Sequence, residues 1–69
     1  MKHPITKLIK SECELKGLTR AKLSDLTGYE ENYLSTLVNR KTGFPLSFLV
    51  AISEALEMNL HTLLKLKND

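Results

Sequence analysis

The polar side chains between Glu30 and Lys41 are the ones in this 69-residue chain whose types and spacing suit recognition chemistry. Glu30, Glu31, Asn32, Ser35 and Thr36 are interleaved with Leu34, Leu37 and Val38, which recur at helical spacing. Asn32, Ser35 and Thr36 fall off that apolar face, so the period points them away from a core. Arg40 and Lys41 follow, and from Asn32 to Ser53 they are the only charged residues. A solvated loop accounts for that basic pair as well as a binding role does. Parts for bond-making chemistry are missing. His3 and His61 lie near opposite ends, and the lone Cys13 sits on an apolar face, where it reads as core rather than nucleophile. Two histidines and one cysteine cannot close a structural zinc site within the chain. No glycine-rich loop links a strand to a helix, so nucleotide motifs are absent. The expectation is a non-enzymatic chain with no metal and no cofactor.

The elements that must position these residues are helices. Residues 19–27 and 30–39 read as two short amphipathic helices around a glycine turn. Thr19 is a good N-cap, Leu18 and Leu23 have the spacing of a hydrophobic staple, and Gly28 can take the left-handed conformation that ends a helix. Two such helices form a helix-turn-helix unit. Ahead of them, Ile5, Leu8, Ile9 and Cys13 make one face of a helix over 5–16, closed by Gly17. Thr42, Gly43, Phe44 and Pro45 read as a loop, and Pro45 suits the first turn of a helix over 45–56. Asn59 caps a last helix over 60–66, with Met58 and Leu63 at staple spacing, and residues 65–69 are expected to fray. No strand alternation, repeat or linker appears, and 69 residues allow one domain, 1–69. With 42% hydrophobic and 26% charged residues, the composition is globular. The net charge of +2 is too mild to argue for nucleic acid alone. A single cysteine fits a reducing cytosol, and no segment is long or apolar enough for a membrane span or a signal peptide.

With five helices in this order, the chain resembles the Cro and phage-repressor (XRE-like) family of helix-turn-helix DNA-binding domains. The likeness rests on Gly17-Leu18-Thr19, Leu23-Ser24, Thr27-Gly28, Tyr33-Leu34-Ser35, Asn39, Ile52-Ser53-Glu54-Ala55-Leu56 and the helix from Leu60 to Leu64. It implies an all-α, compact five-helix, lambda-repressor-like domain whose third helix enters the major groove. It places Glu31, Asn32 and Thr36 at base-reading positions, with Ser35 beside them. Asparagine can pair bidentately with adenine, threonine can touch a thymine methyl, and glutamate can accept from cytosine's amino group. Glu30 and Glu31 at a helix start also complement its macrodipole, which explains both without a base contact.

The same resemblance implies backbone contacts from Arg20, Lys22, Tyr33, Asn39, Arg40 and Lys41. Arg20 stands where relatives commonly carry glutamine, and a charge-assisted phosphate contact would be stronger. Arg40 replaces the family's usual glycine. Tyr33 either lies along the DNA backbone or covers the edge of the core. Many relatives pair an arginine in helix one with a glutamate ending helix three; here Cys13 and Val38 stand there, which suggests a direct apolar contact between the two helices. Leu46, Leu49, Ile52, Ser53 and Leu56 correspond to core positions of helix four, while Phe48, Ala51 and Ala55 make a second stripe. A helix apolar on two sides must cover both. Either Phe48, helped by Phe44 or by Leu60 of helix five, lies in a dimer contact, or Phe48 folds over the loop of its own chain. The function implied is a cytoplasmic transcription regulator, a homodimer on near-palindromic double-stranded DNA. The alternative is an antitoxin-like module whose main partner is a protein.

Overall fold

In the computed structural model, residues 3–41 and 43–67 are described. Five helices follow in chain order: α1 (Pro4–Leu15), α2 (Arg20–Thr27), α3 (Glu31–Val38), α4 (Leu46–Ala55) and α5 (Leu60–Lys67). Among the described residues there is no strand. Each start has a local cause. His3 is the cap of α1, its Nδ1 accepting from the Ile5 N–H at 3.1 Å, and Pro4 occupies the first helical position, where its missing N–H loses nothing. Thr19 caps α2 through the Lys22 N–H at 3.2 Å, and Asn59 accepts from the His61 N–H at 2.8 Å. Pro45 is extended (φ −63°, ψ 142°) and flanks α4 rather than starting it, so that helix begins one residue later than expected. α5 continues through Lys67, past the point where fraying is expected. Lys65 and Lys67 in its last turn complement the negative end of the helix dipole. Residues 68 and 69 of that expected tail, and Thr42 of the expected loop, lie outside the described residues.

The ends of α1 and α4 close with the same bonds. After α1 the Leu18 N–H reaches back to the Cys13 carbonyl at 2.8 Å, and after α4 the Met58 N–H reaches the Ser53 carbonyl at 2.8 Å. The motif requires a left-handed residue just before the reaching N–H. Gly17 (φ 66°) supplies it without strain; at the second site Glu57 (φ 55°) does, against the steric preference of a residue with a Cβ.

The core gathers Ile5 and Ile9 from α1, Leu23 from α2, Leu34, Leu37 and Val38 from α3, Phe48, Leu49, Ile52 and Leu56 from α4, and Leu63 from α5, with Phe44 from the loop. α4 runs through the middle, packing on α2 and on α5, while α1 packs on α3 and α5. That placement corrects the dimer assignment of Phe44 and Phe48. Phe44 is 1% and Phe48 0% exposed in a single chain, so neither has surface left for a partner. Phe48 of one stripe and Leu49, Ile52 and Leu56 of the other are covered from within, while Ala51 and Ala55 stay half-buried. The two rings stack at 6.3 Å; Phe44 also meets the His3 ring at 4.8 Å, and Phe48 meets Tyr29 at 6.1 Å. Phe48 therefore does cover its own loop. Leu46 departs the other way: its position predicts a core residue, but it lies in the first turn of α4 and stays 53% exposed.

α1 and α3 are joined by a bond that crosses the chain. The buried Thr6 hydroxyl donates to the Val38 carbonyl at 2.5 Å, satisfying one of the acceptors left without a partner at the end of α3. Cys13 packs half-buried against the core cluster that includes Val38, and both residues line a groove between α1, α2 and α3. Among the described residues no helix is long and apolar enough to cross a membrane.

Candidate nucleic-acid interface

The geometry of the α2–α3 unit is set at its turn. Gly28 (φ 80°) ends α2 and returns its N–H to the Ser24 carbonyl at 2.9 Å. The Ser24 hydroxyl donates to the Tyr29 carbonyl, and Thr27 Oγ1 donates to the Leu23 carbonyl at 2.9 Å while accepting from the Tyr29 N–H at 3.3 Å. These side chains supply the hydrogen bonds that a tight turn leaves open. Tyr29 is thereby held under α3, its ring edge-on to Tyr33 at 5.7 Å and tilted over Phe48. Packing then fixes the rotation of α3. Leu34, Leu37 and Val38 are buried, so the opposite side must face out.

That outer side carries Glu31, Asn32 and Thr36, all exposed, with Ser35 half-buried beside them. The two glutamates separate into different roles. Glu30 is the cap: its carboxylate accepts from the Asn32 N–H at 2.9 Å and the Tyr33 N–H at 3.3 Å. Glu31 begins the helix proper with its side chain exposed and is the acidic residue of the first turn, so it too complements the macrodipole. The Thr36 hydroxyl donates to the Asn32 carbonyl at 3.0 Å. Its own helix thus uses the donor, and the methyl group is what Thr36 has left to offer an apolar neighbour.

Arg20, Ser35 and Asn39 come together although 15 and more residues separate the first from the others: all three line the groove of about 410 Å³ between α1, α2 and α3. The first turn of α2 therefore lies beside the C-terminal half of α3. Asn39 has a local task as well, its Nδ2 donating to the Ser35 carbonyl at 2.8 Å to close the end of α3. Lys22, Arg40 and Lys41 are exposed, and the Arg40 guanidinium folds back over Gly43, with Nη2 3.5 Å from where a Cβ would stand. Tyr33 is 53% exposed on one side while its ring edge rests on Tyr29, so it covers the core edge and still presents surface. Leu60 is half-buried against the core. The Cys13 thiol is pushed above its ordinary value by burial and by the nearby Glu12 carboxylate, which is the wrong direction for a nucleophile.

Sequence reasoning missed Thr6, Ser24 and Glu30 as positioning residues. A threonine beside Ile5 and a serine four residues before a glycine turn stand in the sequence, but nothing there marks them out, because their acceptors are set by the fold. The arrangement as a whole is a rigid helix presenting amide, hydroxyl, methyl and carboxylate groups, with cations at its flanks. Such a set can match donor, acceptor and methyl groups on a partner surface. No curated protein and no solved structure matches the chain. Residues 9–69 do match the Cro/C1-type HTH DNA-binding domain, and that span takes in the last part of α1 and all of α2 to α5. The chain belongs to the family of Cro/C1-type helix-turn-helix DNA-binding domains.

Proposed function

We propose that this chain is a sequence-specific transcription regulator that binds near-palindromic double-stranded DNA as a homodimer, with α3 in the major groove. The observation that carries this reading is the outward face of α3. Burial of Leu34, Leu37 and Val38 holds the helix in one rotation, and that rotation presents Glu31, Asn32 and Thr36 together. Asn32 is assigned to adenine, Thr36 to a thymine methyl and Glu31 to cytosine's amino group, with Ser35 alongside. Arg20, Lys22, Tyr33, Asn39, Arg40 and Lys41 are assigned to phosphates, where they set register without reading sequence. With Phe44 and Phe48 inside the protomer, the dimer contact falls to α5, where Leu60 and Leu64 are half-buried.

Selection of binding sites from random duplexes tests this. The expected result is an enriched, two-fold symmetric site with half-sites roughly 34 Å apart, one helical turn. Recovery of no enriched sequence would overturn it. A protein-interaction role is the second reading, favoured by Leu26 and Leu46, large apolar side chains left about half exposed on the packed pair α2 and α4. It predicts that Leu26→Ser with Leu46→Ser leaves any DNA affinity intact and abolishes binding to the partner.

A further inference from the structure

α3 is capped by a residue type that helix starts seldom use. Serine, threonine, aspartate and asparagine reach the first-turn N–H groups with shorter, stiffer side chains. Glu30 reaches them with both oxygens, Oε1 taking the Asn32 N–H at 2.9 Å and Oε2 the Tyr33 N–H at 3.3 Å. Those N–H groups, with the positive end of the helix dipole, are what the tip of a recognition helix can offer to a DNA phosphate. Here a full negative charge already occupies them, and Glu31 places a second carboxylate next to it.

We infer that Glu30 limits the affinity of this domain for every duplex, by standing at the tip of α3 in the place of a phosphate and repelling the phosphates that approach. The inference rests on α3 being the helix that enters the groove. Stability of the complex then falls to the base contacts of α3 and to cations such as Arg20. Because the effect acts on the backbone, it is independent of sequence. Two unit charges of like sign across roughly 6 Å of water weaken binding about threefold, and salt erodes the difference.

Aspartate and serine both cap a helix at least as well as glutamate, but only serine removes the charge. The test compares the parent chain with Glu30→Asp and Glu30→Ser by fluorescence anisotropy, on a duplex recovered by selection and on a scrambled one, at low and at physiological salt. Glu30→Ser should bind both duplexes about threefold tighter at low salt, with the gain shrinking as salt rises, while Glu30→Asp stays with the parent. Three results would overturn the inference: no tightening by serine, equal tightening by serine and aspartate, or tightening on the selected duplex alone. The first means the charge is not felt, the second that capping is the cause, and the third that Glu30 reads bases. If neither the parent nor Glu30→Ser binds any duplex at low salt, the DNA reading itself falls and the role of Glu30 with it.

Discussion

Replacing Thr6 by valine should destabilise the domain by about 2 kcal/mol, although the two side chains have nearly the same shape. Thr6 is buried and its hydroxyl donates to the Val38 carbonyl, at the far end of α3 and 32 residues away. Valine fills the space and removes the donor, which strands a buried carbonyl. A stranded buried polar group costs about 1–3 kcal/mol. A domain of this size holds roughly 3–10 kcal/mol in all, at the usual stability per residue. The loss is therefore a large fraction, and it should lower Tm by about 10 °C. Thr6→Ser separates the two contributions. Serine keeps the donor and loses one methyl group, at a cost of about 1 kcal/mol. Thermal unfolding followed by circular dichroism should rank the parent first, Thr6→Ser second and Thr6→Val last. Thr6→Val melting at or above Thr6→Ser would refute the reasoning, because packing rather than the hydrogen bond would then tie α1 to α3.

Glu57→Gly should raise stability by about 0.5–1 kcal/mol, since glycine takes the left-handed conformation at φ 55° without Cβ strain but loses more chain entropy; a lower Tm would contradict this. Phe48→Ala should cost about 3–5 kcal/mol, close to the whole stability, whereas Phe48→Leu should fold and sediment like the parent. A change of oligomeric state in folded Phe48→Leu would return Phe48 to the dimer contact. The raised pKa of Cys13 means that folding favours the neutral thiol. That contribution is present below the ordinary thiol pKa and is lost as pH rises through the raised value, so the parent should lose stability relative to Cys13→Ala in alkali. Alkylation by iodoacetamide should likewise be slower in the folded chain than in denaturant, and equal rates would contradict the burial argument.

What the sequence reveals of this fold is what depends on near neighbours. Thr19 as a cap, Gly28 as a left-handed stop and Asn59 as a second cap each involve atoms within a few residues, so residue type is enough. The inward face of α3 follows from its period. The outward face follows with it, which is why Asn32 and Thr36 are legible from residue order alone. Helix four shows the limit. Two apolar stripes say that both sides must be covered, but not whether by the same chain; only its central place among α2, α5 and the Phe44 loop decides it. The expected pairing of Cys13 with Val38 names the right helices, and the hydrogen bond from Thr6 to Val38 is a further link that residue order does not show. Thr6 could not be picked out, because its acceptor comes near only once the chain has closed. Glu30 and Glu31 look alike in sequence. Both are exposed, and the backbone turn ahead of α3 makes Glu30 the cap and puts Glu31 in the first turn.

The central claim is that α3 reads bases while the start of α2 holds the backbone, and the pair Asn32→Ala and Arg20→Ala tests it most directly. Binding is measured on the selected duplex, on its single-base variants and on a scrambled duplex, over a range of salt. Arg20→Ala should weaken binding to all duplexes by a similar factor and make the salt slope shallower by about one unit. Asn32→Ala should leave scrambled binding and the salt slope nearly unchanged. It should relax preference at one symmetric pair of positions, occupied by adenine, by roughly 1–3 kcal/mol. An Asn32→Ala chain that binds every duplex more weakly with its preference intact would contradict the account, and base reading would then have to lie with Glu31 or Thr36.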